Sequence, residues 1–329
     1  MRLRAEARLL LLAALLTACS PSPAVHTPGP SAHATASAAP IATAPATPGP
    51  TPSASPLPTP VPPPPGVVLL VLENTSYDAV VGGDSAPSLN ALARRYGLAT
   101  QSYAFGHPSL PNYLALVAGT NLGIDSDCTD CSVSGPSIAD QLTARGLSWG
   151  AYLEDMPSPC YTGAAVDDTY GKKHNPFMYF PQIRDDPAQC NRDQPFSAFY
   201  PALDGGTLPA FSLVVPNLCD DGHNCSLSHS DSWVGGFSAH VTGSAWFQRG
   251  GVLIVTYDEG SGGAGCCNGA AGGRIATIVV SAATPAGARL DTPVTHAGVL
   301  RTVEELYGLP FLAAAACACS GDLLPLLGR

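Results

Sequence analysis

Two apolar runs, each ending in a pair of side chains able to ligate a cation, constrain this chain more than any other feature. Val67-Val68-Leu69-Leu70-Val71-Leu72 leads directly into Glu73-Asn74, and Val252-Leu253-Ile254-Val255-Thr256-Tyr257 leads directly into Asp258-Glu259. A continuous β-branched run without polar alternation reads as a strand covered on both faces, as in an α/β sheet. Side chains at the carboxyl ends of such strands line the crevice where open α/β sheets bind ligands. Three carboxylates and an amide converging there repel one another unless a cation neutralises them. Either doublet alone also reads as a solvated strand end before a turn. The two together point to a metal site with Glu73, Asn74, Asp258 and Glu259 as ligands.

Residues 1–19 read as a targeting segment: Arg2, Arg4 and Arg8, an apolar core from Leu9 to Leu16, and a closing Leu16-Thr17-Ala18-Cys19. The core is too short to span a bilayer as a stable helix, which favours a signal peptide. Its last four residues resemble the lipobox of bacterial lipoproteins, in which the Cys is lipidated. On that reading Cys19 anchors the protein to the cell membrane from the extracytoplasmic side; a cleaved signal with an incidental Cys is the alternative. Residues 20–65 are almost wholly Pro, Ala, Ser and Thr. Such a segment cannot bury a core and reads as a disordered tether, with a reach on the order of 100 Å at about 3 Å per residue.

The remaining 264 residues, 66–329, suffice for one large domain. The formal charge of −10 becomes −12 without the signal, which carries three Arg and one Glu. With no basic stripe, nucleic-acid binding is not expected, and nothing points to an obligate protein partner. Ten cysteines follow Cys19, an even number in an exported chain, which favours disulfides. Cys128 with Cys131, Cys219 with Cys225 and Cys160 with Cys190 are the expected local pairs, although spacing leaves the connectivity open. A zinc at Cys128 and Cys131 lacks a second CxxC to complete it.

Periodicity and punctuation predict strands over 67–72, 149–153, 211–215, 252–257 and 275–280. Helices are predicted over 87–96 with Gly97 as the stop, 110–118, 137–145, 232–247 and 296–307. Residues 160–209 read as irregular, and such a long excursion is usually functional. The alternation predicts an α/β domain, a three-layer α/β/α sandwich with a central, mostly parallel sheet.

Ser109 is the nucleophile candidate. It precedes an apolar helical stretch, so it can stand at a helix N-terminus, where backbone N–H groups favour an anion; a plain N-cap serine is the alternative. The segment His107-Pro108-Ser109-Leu110-Pro111-Asn112-Tyr113 resembles the nucleophile segment of the alkaline phosphatase superfamily. With Glu73-Asn74-Thr75-Ser76-Tyr77-Asp78, Lys173-His174-Asn175-Pro176-Phe177, Pro216-Asn217-Leu218-Cys219-Asp220-Asp221-Gly222-His223, Asp231-Ser232-Trp233, Thr256-Tyr257-Asp258-Glu259-Gly260 and the 300–310 stretch, the chain resembles the phosphoesterase family of bacterial phospholipases C and acid phosphatases. The pieces follow the family's order over nearly the whole domain.

That resemblance implies an alkaline-phosphatase-like fold and a divalent metal (Ca, Mg, Mn or Zn) on Glu73, Asn74, Asp258 and Glu259. It implies that Ser109 takes the phosphoryl group, with His174 and His223 as its catalytic partners. His107, Asn112, Lys173 and Asn175 would contact the substrate, a phosphate ester. His296, Asp220, Asp221 and Asp231 are further candidates for a second metal, the aspartates otherwise for caps. His229 and His240 read as surface residues. Lys172 and Lys173, the two lysines of the domain, abut His174; with His174 and His223 protonated below about pH 6.5 they would meet a monoester dianion. The phospholipase C members usually carry further domains, whereas this chain ends at Arg329, so a monoesterase with an acid optimum is expected ahead of a phospholipase C. A non-catalytic surface-binding lipoprotein is the reading from another class. A Ser-His-Asp esterase fails, because no Gly-x-Ser-x-Gly follows a strand. The glycine-rich loop 260–273 with Cys266-Cys267 departs from the family and reads as either a lid or a disulfide-constrained loop.

Overall fold

The computed structural model describes residues 64–329. The signal 1–19, Cys19 and all of the tether except Pro64 and Pro65 lie outside the described residues. Val67–Leu72 forms the centre of a nine-stranded sheet. It pairs in parallel with Val252–Tyr257 on one side and Phe211–Val215 on the other. Trp149–Leu153 and Asp193–Pro195 continue the sheet past Phe211–Val215. Arg274–Val280, Gly97–Tyr103 and Arg289–Leu290 continue it past Val252–Tyr257. Arg274–Val280 runs antiparallel to both neighbours, and the other pairings of this sheet are parallel.

The central strand has no polar face because it meets apolar surface on both sides. Val67, Leu69 and Val71 enter one core with the helices Ser109–Ala118 and His296–Tyr307. Val68, Leu70 and Leu72 enter the other with Pro87–Arg95 and Leu227–Gly243. Helices on both faces of a mostly parallel sheet are the expected α/β sandwich. Gly119 and Gly308 end their helices in the left-handed region, as the punctuation predicts.

The elements that depart from the sequence expectation have identifiable causes. Gly97 does not simply stop a helix; it opens the strand Gly97–Tyr103. This strand carries polar residues that look wrong for a sheet interior, but Ser102 Oγ lies 2.7 Å from Thr277 Oγ1, which lies 2.8 Å from Thr256 Oγ1. A buried hydroxyl chain across three strands satisfies them. The stretch read as irregular contains the edge strand Asp193–Pro195, whose proline is tolerated at an edge. The helix predicted over 232–247 begins at Leu227, because the Ser226 hydroxyl accepts the His229 N–H. It ends at Gly243, where Ser244 caps a separate short helix.

All three expected disulfides are present, and Cys317 pairs with Cys319 as well. Cys266 and Cys267 are free thiols. Their loop is fixed instead by main-chain bonds from Ala271 N to Phe105 O and Gly272 N to Ala104 O. A side chain at Gly272 would collide with the Gly106 carbonyl at 2.4 Å. No described helix is long and apolar enough to cross a membrane.

Asp193 is fully buried; its Oδ2 accepts from Asn175 Nδ2 at 2.7 Å and its Oδ1 has no partner. Burial pushes this carboxyl up to about 7. The native state therefore holds a proton that the unfolded chain, with an Asp pKa of about 3.9, releases. The stability this group contributes is complete below about pH 4 and is lost as pH rises through about 7. Asp193→Asn should remove that component. Urea unfolding of both proteins at acid and neutral pH measures it, and an equal pH dependence in the two would refute the assignment.

Candidate active site

The parallel register sets Leu72 opposite Tyr257, so the next residues, Glu73 and Asp258, emerge side by side from adjacent strands. Both are fully buried. Asp258 Oδ1 accepts the N–H groups of Asn74 at 2.9 Å and Glu259 at 2.6 Å, while its Oδ2 has no partner. Asn74 adopts a positive φ of 53°, which asparagine tolerates, and its amide reaches Glu73 Oε2 at 3.3 Å.

The helix Ser109–Ala118 brings its first turn against Glu73. Ser109 Oγ donates to Glu73 Oε2 at 3.2 Å, and one turn later the Tyr113 hydroxyl donates to Glu73 Oε1. Residues four apart share a helix face; that spacing was the signal for Tyr113, to which the sequence reading assigned no role. Asn112, on the same face, binds Gly106 O and Pro108 O and reaches Glu259 Oε2 at 3.2 Å. His107 Nδ1 also meets Glu259 Oε2, at 3.0 Å. Glu259, half-buried, therefore lies toward the rim, with His107 and Asn112 around it.

His174 stacks on Tyr113 with ring centroids 5.1 Å apart. Its Nε2 stands 3.3 Å from Glu73 Oε2 and its Nδ1 3.6 Å from Asp221 Oδ2. Asp221 is buried, accepts the His223 N–H, and sends its own carbonyl to Glu73 N. Lys173 Nζ bonds Asp127 Oδ2 and His223 Nε2, each at 3.1 Å.

Burial raises the carboxyls of Glu73, Asp221 and Asp258, and the charge of Glu73 adds to the effect on the other two. Burial pushes His174 down to about 4 and also lowers His223. His174 thus does not supply the positive charge expected of it below about pH 6.5, and His223 is harder to protonate than an ordinary imidazole. Lys172 does not supply it either, since its Nζ turns to Thr129 O and lies over the Tyr179 ring. Lys173 is the ammonium that faces the cluster.

Four other candidates belong to the framework. Asn175 is buried against Asp193 and Tyr170 rather than turned to this cluster. His296 is no second metal ligand: Nδ1 accepts Phe105 N–H at 3.3 Å and Nε2 meets Tyr257 O at 3.0 Å. The ring ties the loop before Ser109 to the strand end before Asp258. Asp231 caps the Pro87–Arg95 helix through the N–H groups of Ser88 and Leu89, while Asp220 pairs with exposed His229.

The site fits a divalent cation. Glu73, His174 and His223 each offer a ligand atom within 4.8 Å of the others. Asp258 Oδ2 and His174 Nε2 are buried without hydrogen-bond partners, and adjacent buried carboxylates need a positive partner. Asp221 and the two histidines thus stand beside the four residues that the strand ends offer as candidate ligands.

Residues 83–310 match the profile of the Phosphoesterase family. The chain is 33% identical over 249 residues to a phosphatidylinositol-3-phosphatase of Mycobacterium tuberculosis, covering 74% of this chain and 77% of that one. It is 30% identical over 258 residues to an acid phosphatase of Aspergillus niger, covering 76% of this chain and 60% of that enzyme's length. In fold it is similar to an alkaline phosphatase superfamily protein from Vibrio parahaemolyticus, with a TM-score of 0.56, 16% identity, and 80% and 70% of the two chains covered.

Asp258→Asn keeps an oxygen for the Asn74 and Glu259 N–H groups and removes a buried charge. It should raise Tm in chelator. With saturating Mn²⁺ or Ca²⁺ the order should reverse, since a cation at 100 times its Kd adds about 2.7 kcal/mol to the native state and the variant has lost a ligand. Thermal unfolding under both conditions checks this; the same order in each would remove Asp258 from the ligand set.

Proposed function

The chain belongs to the Phosphoesterase family and is a phosphoric ester hydrolase, and from that premise we propose an extracytoplasmic, metal-dependent acid phosphatase that cleaves phosphate monoesters through a Ser109 phosphoenzyme. The observation that carries the proposal is Ser109 Oγ, at the start of a buried helix, donating to the buried Glu73 carboxylate at 3.2 Å. As Oγ attacks phosphorus its proton passes toward Glu73 Oε2, with His174 Nε2 3.3 Å beyond. The ester P–O bond breaks, and the leaving oxygen takes a proton from the Lys173–His223 side, where the one ammonium facing the cluster is held. Water then cleaves the serine phosphate and restores Oγ–H. A bound divalent cation would supply charge neutralisation for the phosphoryl oxygens and a lowered Ser109 pKa, held by Glu73, Asn74, Asp258 and Glu259 with help from the histidines.

A site walled by carboxylates favours a monoester carrying less charge. That supports an acid optimum, because the second phosphate ionisation falls near pH 6. The name of the Mycobacterium tuberculosis relative favours a second reading, in which the monoester is a phosphorylated lipid headgroup. A phospholipase C-type diesterase stands behind both. Residues 1–19 as a lipoprotein signal, Cys19 as the lipidated residue and 20–65 as a tether complete the proposal. Four disulfides in the described domain are consistent with an oxidising compartment.

Ser109→Ala should fold normally and lose several powers of ten in kcat, each worth about 1.4 kcal/mol of barrier; substantial activity in the folded variant would end the phosphoserine mechanism. Wild-type kcat/KM should rank an aryl monoester, or phosphatidylinositol 3-phosphate in vesicles, above an aryl diester and phosphatidylcholine, with its maximum on the acid side. A preference for the lipid diester, or an alkaline optimum, would install the phospholipase reading.

A further inference from the structure

The helix that presents Ser109 begins without a cap of its own. Pro108 stands at the N-cap and has no side-chain acceptor, so the open N–H groups of the first turn need an outside partner. Asp127 supplies it: Oδ1 accepts from Leu110 N at 2.9 Å. Its other oxygen, Oδ2, takes Lys173 Nζ at 3.1 Å, and the same ammonium lies 3.1 Å from His223 Nε2. His223 Nδ1 lies 2.8 Å from Asn224 Oδ1, an acceptor, which leaves Nε2 with the lone pair that faces the lysine. The Cys128–Cys131 disulfide begins at the residue after Asp127 and closes the turn there. One half-exposed carboxylate therefore joins the helix start to the lysine that faces the cluster.

We propose that Asp127 is a positioning residue of the hydrolysis, spanning the Leu110 N–H and the Lys173 ammonium so that the lysine is held beside the serine that receives phosphoryl; this rests on the phosphatase reading above. A lysine side chain loses rotamer freedom when it is fixed against an anion, and an ammonium anchored before substrate arrives does not lose it on binding. Two plainer roles predict otherwise. If Asp127 were only a helix cap, Asn would replace it, since Asn caps as well as Asp. If it were only a negative charge near an anion site, removing it would tighten phosphate binding.

The test is steady-state kinetics on an aryl phosphate for the wild type, Asp127→Asn, Asp127→Ala, Asp127→Glu, Lys173→Ala and the Asp127→Ala/Lys173→Ala double variant, with thermal unfolding alongside. Asp127→Asn should unfold like the wild type yet lose about tenfold in kcat/KM, chiefly through KM. Asp127→Glu should recover part of that loss. The double variant should be no worse than Lys173→Ala, a coupling of about 1.4 kcal/mol for a tenfold effect. Wild-type or tighter KM in Asp127→Asn, or losses that multiply in the double variant, would overturn the inference while leaving an active phosphatase. A wild type inactive on every phosphate ester would instead remove the phosphatase reading, and the inference with it.

Discussion

The site depends on one constraint, the in-register parallel pairing of Val67–Leu72 with Val252–Tyr257. Two strands that end level, both buried on both faces, must release their next residues into the same crevice. Those residues are Glu73 and Asp258, each with no exposed surface. Side-by-side carboxylates out of water are unfavourable by several kcal/mol per ion unless something positive or a proton joins them. The rest of the site responds to that requirement. Ser109 and Tyr113 donate hydroxyls to Glu73, the Asn74 and Glu259 amides converge on Asp258, and Asp258 Oδ2, Asp221 Oδ2 and His174 Nε2 are buried without hydrogen-bond partners.

The surrounding framework holds the polar side chains of the site through hydrogen bonds made outside it. His296 links Phe105 to Tyr257 and so couples the serine loop to the acidic strand end. Asn112 closes the Gly106–Pro108 turn from inside the helix that follows it. The loop 260–273, which reads as a lid or a disulfide loop from composition, is pinned by its main chain to residues 104 and 105. The proposed nucleophile, Ser109, would rely on this support, because a displacement of about 1 Å near a reacting centre costs about 100-fold in rate.

Charge is distributed differently from what residue types suggest. An acidic domain handling a phosphate ester needs positive groups, and two adjacent lysines with two histidines look like an obvious supply. Burial keeps His174 neutral and lowers His223, and Lys172 turns to a main-chain carbonyl. The ammonium facing the cluster is that of Lys173, which pairs with Asp127. Such a site has little capacity for a dianion without a cation, which agrees with the fit of its donor set.

The sequence by itself determined the layers and the chemistry of the strand ends. Continuous apolar runs read as doubly covered strands, and the positions of Glu73, Asp258 and Ser109 at element ends follow from where those elements start and stop. The pairs expected at Cys128, Cys160 and Cys219 are present, although the sequence left their connectivity open. Only the tertiary structure decided which polar residues belong to the site and which to the framework. Asn175, His296 and Asp231 carry the same functional groups as the candidate ligands, yet each spends its hydrogen bonds on a buried carboxyl or on main chain. The strand Gly97–Tyr103 was illegible for the same reason: Ser102 is acceptable inside a sheet only once Thr277 and Thr256 arrive beside it. A polar side chain's role is set by the partner that satisfies it, and for His296 that partner lies 191 residues away in sequence, beyond the reach of any local pattern.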